Sequence, residues 1–309
     1  MTTGMMDVAH LYLSMEIGGT NLRYGVLDET FRVLDFKKEP SRRLSDAEDK
    51  GEYIEGLVRP YIERYGKEDF LCMTLSLASL MNRERTINYN SPNIKGFNNI
   101  SLVDILTERT GLRVFMERDV NTALLYEIWK GHIDKRGIII GIFIGTGLGN
   151  AMCIDGKVYI GNTGSACELG HIPVLGFADS CGCGKKGCIE LKASGRTLYL
   201  LAEEKYHCPV SEIFERHGGG EKDVKDVVHA CAMAAATEIT ILDPNYVVLG
   251  GGVVDMKGFP MEYFEQTVKE NLRIPYPRDS VRFIRALGDP EAGIVGAAIN
   301  AAARMEQRV

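Results

Sequence analysis

A duplicated order of predicted strands and turns is the feature that most constrains how this chain can fold. Each half begins with three short apolar segments of the length and composition of β-strands. A glycine–threonine turn follows the first strand of each half. These segments are Leu11–Met15, Arg23–Leu27 and Phe31–Phe36 in the first half, and Ile138–Ile144, Ala151–Ile154 and Val158–Ile160 in the second. Each set therefore predicts an antiparallel meander that opens with a turn rich in glycine.

Helix-period and strand-period segments then alternate in both halves, from Tyr53 to Trp129 and from Val224 to Ala303. The predicted helices include Val120–Trp129, one near Val224–Leu242, and a helix of small residues at Ala292–Ala303. The prediction is an α/β fold of two mixed-sheet domains, each with the order βββαβαβα, and a cleft between them. We expect a small N-terminal domain formed by residues 1–118 plus 292–309. Residues 119–291 would form a large domain that carries an insertion at about residues 161–216.

The composition excludes several classes of protein. A length of 309 residues leaves enough chain for two cores, and the formal net charge of −6 without a dense Lys/Arg cluster argues against nucleic acid as a partner. The longest apolar run, Ile138–Ile144, is far too short to cross a membrane, and Met1–His10 lacks the pattern of a secretory signal. We therefore expect a soluble, cytoplasmic protein without a membrane partner.

The 34 glycines exceed the average share and follow no repeat, so they are expected at turns and close backbone approaches. The turns Gly18–Gly19–Thr20 and Gly145–Thr146–Gly147 lie at equivalent places in the two halves, and Gly250–Gly251–Gly252 follows an apolar strand. Such turns present free amide groups that can bind phosphate oxygens. Plain hairpins are the alternative. A dinucleotide fingerprint is excluded at Gly145–Gly149, because a strand and not a helix follows.

Asp119 lies where a predicted strand gives way to a predicted helix. The simpler interpretation is a helix N-cap, a position that favours Asp. In a cleft that faces a phosphate site, the same carboxylate could accept a hydroxyl proton as a general base.

Three cysteines and one histidine have the spacing of a closed, structural zinc site. They are His171, Cys181, Cys183 and Cys188. A disulfide is the poorer interpretation for a chain that looks cytosolic, and the other five cysteines are scattered. Glu168 and Glu190 flank this segment, and two carboxylates held by a rigid metal site suit the vicinal hydroxyls of a sugar, although they could also be solvated loop residues.

Together these residues resemble the ROK family of sugar kinases, from about Leu13 to Ala303. The most specific part is Glu-x-Gly-His at Glu168–His171 followed by Cys-x-Cys-Gly-x-x-Gly-Cys-x-Glu at Cys181–Glu190. The resemblance implies a two-domain actin/hexokinase-like fold and ATP-dependent phosphorylation of a hexose 6-hydroxyl, with Asp119 as the catalytic base.

The resemblance also implies roles for the other motifs. ATP and Mg²⁺ would be bound by the glycine turns and their neighbours: Glu16, Gly18, Gly19, Thr20, Asn21, Gly145, Thr146, Gly147, Gly250, Gly251 and Gly252. The sugar would be bound by Asn93, Arg118, Asp119, Glu168, His171 and Glu190, and zinc by His171, Cys181, Cys183 and Cys188. A homodimer is also implied.

Four positions depart from the family pattern. Glu16 replaces the usual Asp beside the metal–nucleotide, Arg118 replaces a sugar-binding Asn, Leu77–Leu80 replaces Gly-Pro-Gly, and Cys167 replaces a Gly. Arg can only donate hydrogen bonds, so Arg118 should change which hexose epimer is accepted.

The D-allose kinases of this family share Arg-Asp-Val-Asn at Arg118–Asn121, the segment Glu84–Asn93 and the long motif Gly250–Pro260. D-allose is therefore the predicted substrate. The alternatives are glucose, fructose or N-acetylmannosamine, a sugar-binding protein that has lost catalysis, and a sugar-sensing repressor. We disfavour the repressor because a first strand near Leu11 leaves no room for a DNA-binding domain before it.

Overall fold

The structure is a computed structural model that describes residues 10–91, 94–218 and 220–306. Its strands are β1 Leu11–Ile17, β2 Asn21–Leu27, β3 Val33–Pro40, β4 Phe70–Leu77, β5 Leu80–Met81, β6 Asn88–Asn90, β7 Val114–Arg118, β8 Ile138–Ile144, β9 Leu148–Ile154, β10 Lys157–Val158, β11 Tyr246–Gly250 and β12 Phe283–Arg285. Its α-helices are α1 Arg42–Asp46, α2 Lys50–Tyr65, α3 Leu102–Thr110, α4 Asp119–Lys130, α5 Gly195–Leu200, α6 Ile213–His217, α7 Lys222–Leu242, α8 Met261–Glu270 and α9 Ala292–Glu306. A π-helical turn, Leu201–Tyr206, continues α5.

Two five-stranded sheets of equivalent topology confirm the predicted duplication. Their strand orders are β3-β2-β1-β4-β7 and β10-β9-β8-β11-β12. In each sheet the first three strands pair antiparallel, and two further strands add in parallel. This mixed arrangement follows from the sequence, because tight turns join the first three strands whereas helices join the others.

The chain divides into two compact units. One comprises the described parts of Met1–Lys130, Ile160–Ser165 and Asp289–Val309, and the other comprises Gly131–Tyr159 and Ala166–Gly288. The first unit thus continues past the predicted boundary at residue 118, because α4 packs against α9 as a pair of helices. Residues 160–165 also belong to the first unit, whereas the sequence pattern predicts that the whole insertion, at about residues 161–216, lies in the large domain.

Each unit has its own apolar interior. In the first unit, β1, β2, β4 and β7 pack against α2 and α3 on one side, while α4 and α9 cover the other. In the second, β8 and β11 pack against α7 and α8. A sheet covered on both faces explains why the central strands are almost continuously apolar. Among the residues that the structure describes, no helix is long and apolar enough to span a bilayer.

Candidate active site

The first glycine turn joins β1 to β2 and is held from outside by Ser41. Within the turn, the Gly18 amide donates to the Asn21 carbonyl at 3.0 Å. The fully buried Ser41 donates from its hydroxyl to the Gly18 carbonyl at 2.5 Å and from its amide to the Thr20 carbonyl at 3.0 Å. Gly19 and Thr20 stay exposed. Sequence reasoning missed Ser41, because its partners lie more than twenty residues away and no local pattern marks them.

Glu16 lies near the end of β1 and is half-buried. Arg23 on β2 donates to both of its carboxylate oxygens at 3.1 Å. Burial raises the pKa of Glu16; Arg23 opposes this shift and the charge of Asp119 adds to it. A Cβ on Gly293, in the first turn of α9, would lie only 2.6 Å from the Glu16 carboxyl carbon. The carboxylate is thus fixed by an arginine and by a closely approaching helix end.

Asp119 is the first residue of α4, directly after β7. Its Oδ1 accepts from the Val120 amide at 2.9 Å, and its carbonyl accepts from the Thr122 hydroxyl at 2.8 Å. That hydroxyl also shares a 2.7 Å hydrogen bond with the buried Ser76 on β4. Burial raises the pKa of Asp119, against the opposing charge of Arg118. An N-cap side chain accepts from the second or third amide of the helix, so this bond to the next residue differs from the capping interpretation.

Arg118 ends β7 with 9% of its surface exposed. Its amide donates to Oε1 of Glu117 at 2.9 Å. The same oxygen accepts from the side-chain amide of Asn121 at 2.8 Å and lies 2.9 Å from Nε of Arg85. The sequence pattern identified Arg118 but not the ion pair of Arg85 and Glu117, which contacts the Arg118 amide through Glu117.

In the second unit, the turn between β8 and β9 is held by Glu190 and by the start of α5. Glu190 Oε2 accepts from the Leu148 amide at 2.9 Å, and a side chain on Gly147 would overlap that carboxylate. The amides of Gly195 and Arg196 donate to the carbonyls of Gly145 and Thr146 at 2.8 and 3.0 Å. One carboxylate oxygen of Glu190 is therefore engaged in bracing the turn, a role that its position in the sequence did not indicate.

The triple glycine follows β11 in the same unit. Gly251 has φ +98°, in the region that favours glycine, and a Cβ there would lie 2.8 Å from the Ile144 amide nitrogen. Gly252 has open space around it: apart from its two chain neighbours, no described residue has an atom within 4 Å of an added Cβ. The segment therefore combines one glycine required by the backbone with one that leaves room for a ligand.

The four predicted zinc ligands come together in the structure. Their ligand atoms lie within 4.8 Å of one another. Cys181 Sγ is 3.7 Å from His171 Nδ1, and Cys183 Sγ is 3.6 Å from Cys188 Sγ. A tetrahedral zinc ion with Zn–S bonds of about 2.3 Å separates its sulfurs by about 3.8 Å, so this donor set fits the ion. The cluster is compatible with a structural zinc site.

His171 faces two groups at once. While Nδ1 points to Cys181, Nε2 lies 3.6 Å from Oε2 of Glu168. Cys167, just before Glu168, has φ +64°, the left-handed conformation that explains why glycine is usual at this position.

The predicted sugar residue Asn93 lies outside the described residues. Of the other predicted ligands, Glu16, the first glycine turn, Asn21, Arg118 and Asp119 belong to the first unit and the rest to the second.

Two sheets of one duplicated topology, each with a glycine turn after its first strand, match the two-domain α/β fold of the ASKHA-like sugar kinases. The chain belongs to the ROK family, whose pattern it matches over residues 12–304. It is 30% identical over 263 residues to the glucokinase of Thermotoga maritima, covering 78% of this chain and 81% of that protein. It is 29% identical over 268 residues to the N-acetyl-D-glucosamine kinase of Histophilus somni, covering 79% and 84%.

A solved structure is similar over nearly the whole chain. The ROK family glucokinase of Streptomyces griseus, in complex with glucose and AMPPNP, superposes with a TM-score of 0.77 at 27% identity, covering 94% of this chain and 98% of that one. These matches confirm the predicted enzyme class, an ATP-dependent sugar kinase of the ROK type.

Proposed function

We propose that this protein transfers the γ-phosphoryl group of ATP to the 6-hydroxyl of a hexose, with Asp119 as the catalytic base. The observation that carries the proposal is the position of Asp119 at the strand–helix junction of β7 and α4. Its carboxylate accepts a hydrogen bond from the Val120 amide, and its pKa is raised by burial. A carboxylate with a raised pKa is a better proton acceptor than an ordinary Asp.

In the proposed reaction the hexose O6 attacks the γ-phosphorus of ATP. The O6–H proton passes to the Asp119 carboxylate, the new O6–P bond forms, and the bond from phosphorus to the β,γ-bridging oxygen breaks to release ADP. Asp119 returns its proton to solvent after the sugar phosphate leaves.

The two glycine turns would bind the phosphates of ATP. The exposed Gly19 and Thr20 and the braced turn Gly145–Gly147 offer amide and hydroxyl donors, and Gly250–Gly252 would leave room for the adenosine. Glu16 and Asn21 would help to bind Mg²⁺. This cation takes oxygen ligands and, when bound, neutralises phosphate charge.

The sugar would be bound by Asn93, Arg118, Glu168, His171 and Glu190. Glu190 has one carboxylate oxygen in a bond to Leu148, which leaves its other oxygen to accept from a hydroxyl. Zinc would be held by Nδ1 of His171 and the three cysteine sulfurs, leaving Nε2 of His171 toward Glu168 and the sugar. Its proposed part is to hold this loop in place.

D-allose is the acceptor that we propose. Support comes from Arg118, whose buried guanidinium beside Asp119 replaces an amide that could both donate and accept. Glucose and N-acetyl-D-glucosamine are the second candidates, favoured by the names of the relatives.

A coupled ADP-release assay over a hexose panel tests this proposal. We expect the highest kcat/KM with D-allose, whereas a preference for glucose or N-acetyl-D-glucosamine would overturn the choice of acceptor. If no hexose gives turnover, the kinase proposal itself fails and a sugar-binding role remains.

A further inference from the structure

A buried ion pair lies at the junction of β7 and α4 that carries Asp119, outside every motif that predicted the site. Arg85 and Glu117 approach within 2.9 Å, and their side chains are only 2% and 4% exposed. Charged side chains are almost never buried this far unless they are paired, and a buried pair is weak evidence for stability. Its presence therefore calls for a role beyond holding the fold together.

Glu117 binds the chain on both sides of Asp119. Its Oε1 accepts from the amide of Arg118, the residue before Asp119, and from the side chain of Asn121, two residues after it. The distances are 2.9 and 2.8 Å. One carboxylate oxygen thus links the end of β7 to the first turn of α4, the junction from which the Asp119 side chain projects.

Arg85 connects this carboxylate to a second segment. Its Nη1 donates to the Gly164 carbonyl at 2.8 Å, and the neighbouring Arg83 donates to the carbonyls of Gly161 and Asn162 at 2.9 and 3.0 Å. Arg85 also has φ +59°, a conformation uncommon for a residue with a side chain. Gly164 precedes Glu168 by four residues, so the arginines hold the segment that leads to a proposed sugar ligand.

We propose that Arg85 and Glu117 are positioning residues for the phosphoryl transfer, because they fix the orientation of the proposed base Asp119 through Arg118 and Asn121. This inference rests on the proposed function. Neither residue is required to touch the substrate. Small displacements of a catalytic group lower turnover strongly, so loss of the pair should reduce kcat even in a fully folded enzyme.

The test compares Arg85→Met, Glu117→Met and the double variant with the wild type by melting temperature, hexose-binding stoichiometry and kcat. Each single variant leaves one buried charge unpaired and should melt at a lower temperature. The double variant replaces the pair by apolar side chains and should recover most of the melting temperature and full binding stoichiometry. Its kcat should nevertheless stay lower by about tenfold to a hundredfold. Recovery of kcat together with stability would overturn the inference.

A second variant covers the case in which the double variant does not fold. Arg85→Lys keeps a positive charge near Glu117. A lysine ammonium lacks the planar guanidinium that contacts both the Glu117 carboxylate and the Gly164 carbonyl. We expect a fall in kcat of about fivefold or more with normal binding stoichiometry; a wild-type kcat would contradict the proposal. Arg59→Met, which breaks an ion pair with Glu55 on α2, is the matched control and should leave kcat unchanged. Wild-type protein without hexose turnover would refute the proposed function instead.

Discussion

Asp119 illustrates at the scale of one residue how local contacts separate two interpretations of the same sequence position. The sequence allows both a helix cap and a base. In the structure its Oδ1 accepts a hydrogen bond from the amide of the adjacent Val120, and burial raises its pKa. This hydrogen bond differs from that of an N-cap side chain, which accepts from the second or third amide of the helix, so capping does not explain why this residue is Asp.

Replacing Asp119 by Asn tests the role of the base. Asn keeps the size and can donate to a sugar hydroxyl, but it cannot accept a proton. We expect kcat to fall by about 10²- to 10⁴-fold while hexose binding, measured by calorimetry, stays within a few-fold of the wild type. Asp134→Asn, at an exposed ion pair with Arg136, is the control. Near-normal turnover of Asp119→Asn would remove Asp119 from the mechanism.

Single residues also mark the limit of prediction from sequence. The zinc cluster was predictable because its ligands are close in the chain and chemically distinctive. The roles of Ser41, Arg85 and Glu190 were not predictable, because each side chain bonds to a residue that is distant in the chain. Ser41 lies 23 residues from Gly18, Glu190 lies 42 residues from Leu148, and Arg85 lies 79 residues from Gly164. Local periodicity contains no information about such pairs.

At the scale of elements, the alternation of apolar residues located most strands and helices. Strand β8 has the predicted bounds, and α4, α7 and α9 begin within two residues of their predicted starts. The short α5 and its π-helical continuation were missed, since they lie in the insertion where cysteine and glycine spacing dominates the pattern. The packing of α4 on α9 was also hidden, although a small-residue helix at Ala292–Ala303 was expected.

The crossing of α4 and α9 yields a prediction about stability. A methyl group on Gly296 would overlap the carbonyl oxygen and carbon of Thr122, part of the backbone of α4. Gly296→Ala should therefore lower the free energy of unfolding by about 1–3 kcal/mol, as overpacking does. It should also lower kcat, because α4 begins with Asp119.

Gly56 supplies the matched control for this substitution. It lies inside α2 with open space around it, so Gly56→Ala should raise the free energy of unfolding by about 0.4–1 kcal/mol and leave kcat unchanged. Urea titrations of the three proteins measure both effects. Equal stability of the two alanine variants would contradict the close helix contact.

Helix α7 carries a buried glutamate that predicts a pH dependence. Burial raises the pKa of Glu238 from 4.5 to about 7, opposed by a hydrogen bond from Asn150. The folded protein therefore binds this proton more tightly than the unfolded chain does. The stabilising contribution is complete below about pH 4.5 and is lost as the pH rises to about 7, a difference of at most about 3 kcal/mol.

Glu238→Gln should remove this pH dependence, because Gln stays neutral and can still accept from Asn150. We expect the variant to match the wild type near pH 5 and to be more stable near pH 8, by up to about 3 kcal/mol in urea titrations. Asp226→Asn, at an exposed ion pair with Lys222 on the same helix, should show no such difference. A variant that is less stable than the wild type at both pH values would show that the carboxylate serves another purpose.

At the scale of the whole molecule, the two units have separate apolar cores. The core of the second unit includes Leu169 and Ile189, and the half-buried Ile172 and Val174, which lie between His171 and Cys181, pack against it. The cores of the first unit lie among β1, β2, β4, β7 and the helices packed on them. The duplicated sequence pattern predicted two such bodies. Their borders depended on how α4, α9 and residues 160–165 pack, which the pattern could not reveal.

This separation predicts where the loss of zinc will act. If zinc binds His171, Cys181, Cys183 and Cys188, a chelator should lower the melting temperature by about 5–10 °C. Hydrogen exchange should rise in Leu169–Ile189 and in the second-unit strands β8 and β11, while β1 and β4 keep their protection, because the cluster is continuous with only one of the two cores. Cys183→Ser should behave like the chelated protein, and Cys208→Ser, outside the cluster, like the wild type. Purified protein without zinc whose melting temperature ignores the chelator would refute the metal site, and equal loss of protection in both units would refute the independence of the cores.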